Sequence, residues 1–139
     1  MKKIILIFII GVVLTAGFIY IFKQNNSKNT VKPELKISQD GGVTFEVNLI
    51  DFNFNNPVKF DITVNTHSDS LDFDLTKISF LRDNKGGQYL PSNWEGDGPG
   101  GHHISGILSF PKLANQPKSI KLIIEDIIGR PRVLEWDLK

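Results

Sequence analysis

The sequence predicts an all-β fold, an antiparallel β-sandwich of seven to nine strands, preceded by one N-terminal transmembrane helix. Three observations carry that prediction. From Leu35 onward apolar residues recur at every second position, the period of a strand with one buried face. Turn signals rich in Gly, Pro, Asn and Asp interrupt this pattern every eight to twelve residues, the spacing of short sandwich strands. Residues 4–22 form one apolar run in which Thr15 is the only clearly polar side chain.

That run comes first in the chain. Nineteen helical residues at 1.5 Å each reach about 28 Å, close to the hydrocarbon thickness of a bilayer. Lys2 and Lys3 precede it and Tyr20 sits near its far end, where a headgroup-level aromatic belongs. No face of the run is polar, which argues against a buried core helix. Thr15-Ala16-Gly17 offers small residues for cleavage, so a secretory signal peptide is the competing reading. The apolar residues that continue through Phe22 favour an uncleaved anchor. The short basic tail favours a signal-anchor, with the long C-terminal part outside the cytoplasm. Domain boundaries follow: 1–23 as anchor or signal segment, 24–33 as a flexible polar linker closed by Pro33, and 34–139 as the β-sandwich.

Within the sandwich, Leu35-Lys36-Ile37 opens a short strand, and Asp40-Gly41-Gly42 turns the chain. Val43, Phe45, Val47 and Leu49 alternate with polar residues in the next strand. After an Asn-rich loop, Val58, Phe60, Ile62 and Val64 alternate in another, with Pro57 placed where a missing N–H does no harm. Leu71, Phe73 and Leu75 alternate with Asp72 and Asp74, which predicts a strand continuing into Ile78–Leu81. Gln88-Tyr89-Leu90 starts a return strand. Residues 103–110, 119–127 and the alternation of Leu134, Trp136 and Leu138 supply the rest, with a turn at Ile128-Gly129-Arg130-Pro131. About 105 residues arranged this way suit an immunoglobulin-like sandwich, although the Cys…Trp…Cys spacing of antibody domains is absent.

Composition removes several function classes. The first 32 residues carry five lysines and no acid; the remainder carries eleven basic and fifteen acidic side chains, net −4. A mildly acidic domain does not suit phosphate backbones, so nucleic acid is not expected as a partner. There is no cysteine, hence no disulfide, thiol nucleophile or thiolate metal site.

The unusual stretch is Trp94-Glu95-Gly96-Asp97-Gly98-Pro99-Gly100-Gly101-His102-His103. With Gly106 it holds five of the twelve glycines, and it carries two of the three histidines. Glycine at this density points to a special backbone path or a close approach. Trp94, Gly96, Asp97, Gly100 and Gly101 are therefore the expected interaction loop. Trp94 reads as a lid on the core, with a stacking platform for a ligand as the alternative. The loop lacks the Gly-Lys-Ser/Thr ending and following helix of a phosphate loop.

His67, His102 and His103 all fall in predicted loops or strand ends, which gather at the poles of a sandwich. Imidazole ligates copper and zinc, so these three are the candidate metal ligands, with a carboxylate from Asp69, Asp72, Asp74 or Asp97 as a possible fourth. Adjacent residues on a strand point to opposite faces, which works against His102 and His103 acting together. The bland reading makes the histidines caps for their own turns. Asp69 to Asp74 offers oxygens for calcium but lacks the glycine and terminal glutamate of an EF-hand. No catalytic residue is expected, because no nucleophile-elbow or triad signature occurs.

Thr66-His67-Ser68, Leu71 to Leu75, Trp94-Glu95-Gly96 and Pro99 to Gly106, with Leu108 and Phe110, together resemble a group of uncharacterised prokaryotic secreted or membrane-anchored proteins. The resemblance covers roughly residues 43–138 and implies only that His67 and the His102-His103 pair share one feature. The expectation is a single-pass cell-membrane protein, or a secreted one if the segment is cleaved. Its extracytoplasmic sandwich would bind a partner at the cell surface, with copper or zinc as the candidate cofactor. A structural or assembly domain and a metal-assisted hydrolase are the alternatives.

Overall fold

The computed structural model describes residues 34–139 apart from 51, 69, 128, 129 and 139. The anchor and linker expectations for residues 1–33 lie outside the described residues. Among the described residues no helix is long and apolar enough to cross a membrane.

The chain is all-β, built as two antiparallel sheets consistent with a sandwich. Its strands are β1 (Leu35–Asp40), β2 (Val43–Ile50), β3 (Val58–Thr66), β4 (Ser79–Asp83), β5 (Gln88–Tyr89), β6 (Asn93–Gly96), β7 (His103–Phe110), β8 (Ser119–Ile127) and β9 (Arg130–Asp137). One sheet has the order β1-β2-β3-β7-β6 and the other β5-β4-β8-β9. This order is not the ABED and CFG pairing of an immunoglobulin constant domain. The chain meanders through β1, β2 and β3, then crosses between sheets before β4, before β6 and before β8.

Alternation dictates the core. Val43, Phe45, Val47 and Leu49 from β2 and Val58, Phe60, Ile62 and Val64 from β3 face Leu81, Ile120, Leu122, Ile124 and Trp136 from the other sheet, all buried. Trp136 is fully buried, its ring 4.9 Å from that of Phe60, which meets Phe110 edge-on at 5.9 Å. Such aromatic clusters carry much of a core's energy; truncating one member to Ala costs about 3–5 kcal/mol.

Three segments depart from the alternation. Leu71 to Leu75 does not form the expected strand. It runs as irregular chain into a single helical turn, α1 (Leu75–Ile78), which the Asp74 side chain caps by accepting from the Thr76 N–H. A capping carboxylate outcompetes the ladder that alternation alone would favour. The Trp94 loop is partly regular: Asn93–Gly96 pairs with β7 as an edge strand. The expected turn through Pro131 ends earlier, since β9 begins at Arg130. Pro131 is accommodated because β9 is an edge.

β1 forms where expected, but its apolar residues point outward. Leu35 and Ile37 are 54% and 61% exposed, while Lys36 and Ser38 are half-buried towards the interior. Register decides this. Gly41 and Gly42 have φ of 59° and 77°, the two left-handed positions of a two-residue hairpin turn, and they pair Asp40 with Val43. With the turn set there, Ile37 sits opposite Glu46 on the outer face.

Candidate functional site

The loop between β6 and β7 is pinned at several points. Gly96 and Gly106 sit directly opposite each other, with Trp94 across them. A Cβ on Gly96 would lie 2.3 Å from the Ser105 carbonyl oxygen and 2.8 Å from Trp94 Cζ2. A Cβ on Gly106 would lie 2.5 Å from Gly96 Cα. Both glycines are therefore required so that an indole can lie on bare backbone. Trp94 then donates from Nε1 to the Asp97 carbonyl at 2.9 Å. Asp97 in turn donates its N–H to the Ser105 carbonyl, and its Oδ2 accepts from Ser105 N–H at 2.9 Å and Ser105 Oγ at 3.0 Å.

Farther along, the loop is stitched to the segment after β3. Leu71 donates to the Gly101 carbonyl, Gly100 donates to the Leu71 carbonyl, and Thr66 donates to the His102 carbonyl. Gly100 and Gly101 adopt φ of 121° and 71° to make these bonds. The loops bearing His67 and His102 are thus held side by side at one pole by these backbone bonds.

The histidine side chains themselves are exposed. His103 lies on the outer face opposite Asn65, whose Oδ1 is 2.6 Å from His103 Nδ1. Its neighbour Ile104 points into the core, as strand alternation requires. Among the described residues, no group of three or more His, Asp or Glu side chains is close enough to hold a metal ion. His67, His102 and His103 thus form no such group among the described residues. Asp72 takes a bond from Ser70 Oγ and Asp74 caps α1, so neither contributes to a calcium cage.

A cleft instead opens beside Trp94, between β6 and the segment leading into α1. Phe73, Leu75, Trp94, Pro99 and Ile104 form its apolar walls, and Asp74 and Asp97 its acidic rim. It is shallow and open to solvent, with a cavity volume of about 30 Å³. Phe73 is held by stacking on Phe45 at 6.3 Å, so that wall is anchored to the core. The Asp97 carboxyl is held below its usual range by the Ser105 backbone and hydroxyl bonds, with a further contribution from nearby His103. Thr76, through its hydroxyl and then its N–H, does the same for Asp74, and Lys77 adds an ion pair at 3.3 Å. Both carboxylates are thus charged at neutral pH. Of the expected loop residues, Trp94 and Asp97 line the cleft, whereas Gly96, Gly100 and Gly101 shape the backbone around it. Sequence reading missed Phe73 and Leu75, which alternation placed in a strand; the Asp74-Leu75-Thr76 capping signal pointed to them.

No protein-family model and no curated protein matches the sequence. Among solved structures, MPT63, a secreted protein from Mycobacterium tuberculosis, aligns with a TM-score of 0.43 at 15% identity, over 75% of this chain and 92% of that one.

Proposed function

We propose that this chain is a membrane-anchored, extracytoplasmic binding module, immunoglobulin-like in architecture rather than connectivity, that holds a protein partner in the Trp94–Asp97 cleft. The observation that carries the reading is the cleft: an aromatic and aliphatic wall beside two ionised carboxylates, on a loop immobilised by its own hydrogen bonds. This chemistry fits an apolar side chain next to a lysine or arginine on an exposed partner segment. The apolar run of residues 4–22 behind Lys2 and Lys3 supports the anchor and the outward domain. Copper or zinc binding, and hydrolysis assisted by it, are the weaker readings, because no group of three such side chains gathers among the described residues and His103 is engaged by Asn65.

Tryptophan fluorescence tests the proposal, since Trp136 is buried and Trp94 is the half-exposed reporter. The full chain in detergent micelles is titrated with N-acetyl-Leu-Arg-amide. A saturable change in emission is expected, weakened about tenfold in Asp97→Asn through loss of a charged partner. A wild-type emission that does not change up to millimolar peptide overturns the reading.

A further inference from the structure

We propose that β1 is the seat of a symmetric dimer of this chain. Two copies pair β1 edge to edge, antiparallel about a two-fold axis, and merge their five-stranded sheets. Leu35 and Ile37 of each copy then gather on the outer face.

The hydrogen-bonding direction of β1 follows from its turn. With Asp40 and Val43 flanking the two-residue turn, the even-numbered residues of β1 address β2. The N–H and C=O groups of Leu35, Ile37 and Gln39 therefore face away from β2, and among the described residues β1 has a strand neighbour on that one side only. Such a row is a template for another strand.

Other edges of the two sheets are blunted. β5 has two residues, β6 has four and ends at the Gly96–Gly106 contact, and β9 carries Pro131. β1 has six residues, no proline, and an apolar pair on its outer face.

The outward register is enforced at both ends. Trp136 donates from Nε1 to the Glu34 carbonyl at 2.9 Å, and Arg132 donates to the Asp40 carbonyl at 2.6 Å. Trp136 and Arg132 are both buried, so a one-residue slip that would turn Leu35 and Ile37 inward takes the acceptors of these two half-buried bonds away from their donors. The strand is thus held as a rigid, presented edge.

Two features select a second copy as the occupant. Leu35 and Ile37 are exposed on one face of the open edge, so an antiparallel copy related by a two-fold axis sets this apolar pair against itself, while the charges of β1 stay in pairs within the chain, Lys36 with Glu34 and Asp40 with Arg130 and Arg132. Twelve residues separate β1 from Phe22. Where residues 4–22 lie in a bilayer, β1 strands of neighbouring copies emerge in one plane, at effective concentrations of order millimolar. This last argument alone rests on the proposed anchor.

The test uses the full chain in micelles and measures mass by light scattering. Wild type is expected to be dimeric. Ile37→Pro removes an N–H that faces the open edge and leaves the β2 ladder intact, so it should retain the β circular dichroism spectrum while weakening the dimer at least about tenfold. Ile37→Lys should do the same through charge. Because the chain lacks cysteine, Ile37→Cys should cross-link into a dimer under mild oxidation, whereas Val133→Cys, equally exposed on the other sheet, should not. A monomeric wild type, or a dimer unaffected by both Ile37 variants, overturns the proposal. Alkaline extraction of membranes reports on the anchor separately, so loss of the anchor reading and loss of the dimer are distinguishable.

Discussion

A carboxylate closes the chain near each end of β7, and the two do different things. Beyond the C-terminal end of β7, Asp83 is 6% exposed and accepts from the N–H groups of Lys85 and Gly87 and from the Tyr89 hydroxyl, each at 2.8 Å. Tyr89 Oη also accepts from the Ala114 N–H, which ties the β4–β5 hairpin to the chain after β7. At the N-terminal end, Asp97 is exposed and uses Oδ2 on Ser105, while among the described residues nothing donates to Oδ1. The same functional group is saturated and buried in one place, and half-used and wet in the other. Saturation makes a structural lock; an unspent, exposed oxygen beside an apolar cleft makes a binding group.

The contrast should appear first in stability. Asp83→Ala leaves three half-buried bonds without their acceptor, so a loss of about 1–3 kcal/mol in urea denaturation is expected. Asp97→Ala should cost clearly less, because Asp97 is exposed and water replaces the lost acceptor. Equal costs would break the comparison.

The glycines sharpen it next. Gly106→Ala forces a Cβ against the Gly96 Cα and the Glu95 carbonyl, backbone that cannot yield, and should lower stability by about 1–3 kcal/mol. Gly98→Ala meets nothing within 4 Å and should change stability by less than about 0.5 kcal/mol. Thermal unfolding of both variants distinguishes a shaped loop from a merely glycine-rich one.

Acid titration reads both carboxylates through their hydrogen bonds. Burial pushes the Asp83 carboxyl up, but bonds from Gly87, Tyr89 and Lys85 outweigh it and leave the pKa below 3.8. A group depressed in the folded state adds stability above its unfolded pKa and loses it as pH falls through the lower folded value. Asp83→Asn should therefore flatten the loss of stability below about pH 3.8, and Asp97→Asn should act in the same direction. The smallest effect expected is with metal: isothermal titration with Zn(II) or Cu(II) should give no saturable heat that His67→Ala with His102→Ala removes.

Much of the scaffold was legible because burial acts on every second residue. β2, β3, β7 and β8 all lie where their alternation predicted them. One feature misled. Asp72 and Asp74 alternate with Leu71, Phe73 and Leu75 like a strand, yet one Asp74–Thr76 capping bond turns the chain into α1. The histidines invited a metal reading because loops gather at poles; among the described residues they form no group of three that could hold a metal ion. Trp94 as a lid over glycines was readable; that its lid position also leaves a cleft with Phe73 and Asp97 was not.

By itself, the sequence determined the all-β class, the strand positions, the cysteine-free and mildly acidic surface, and the need for small residues near Trp94. These depend on local period, composition and φ preferences, which a chain carries with it wherever it folds. Only the tertiary structure decided which glycines face each other, which carboxylate is left with a free oxygen, and that Leu35 and Ile37 point outward. Those depend on register between strands distant in sequence. The Gly41-Gly42 turn sets the register of β1, and Trp136 and Arg132 hold it from about a hundred residues away.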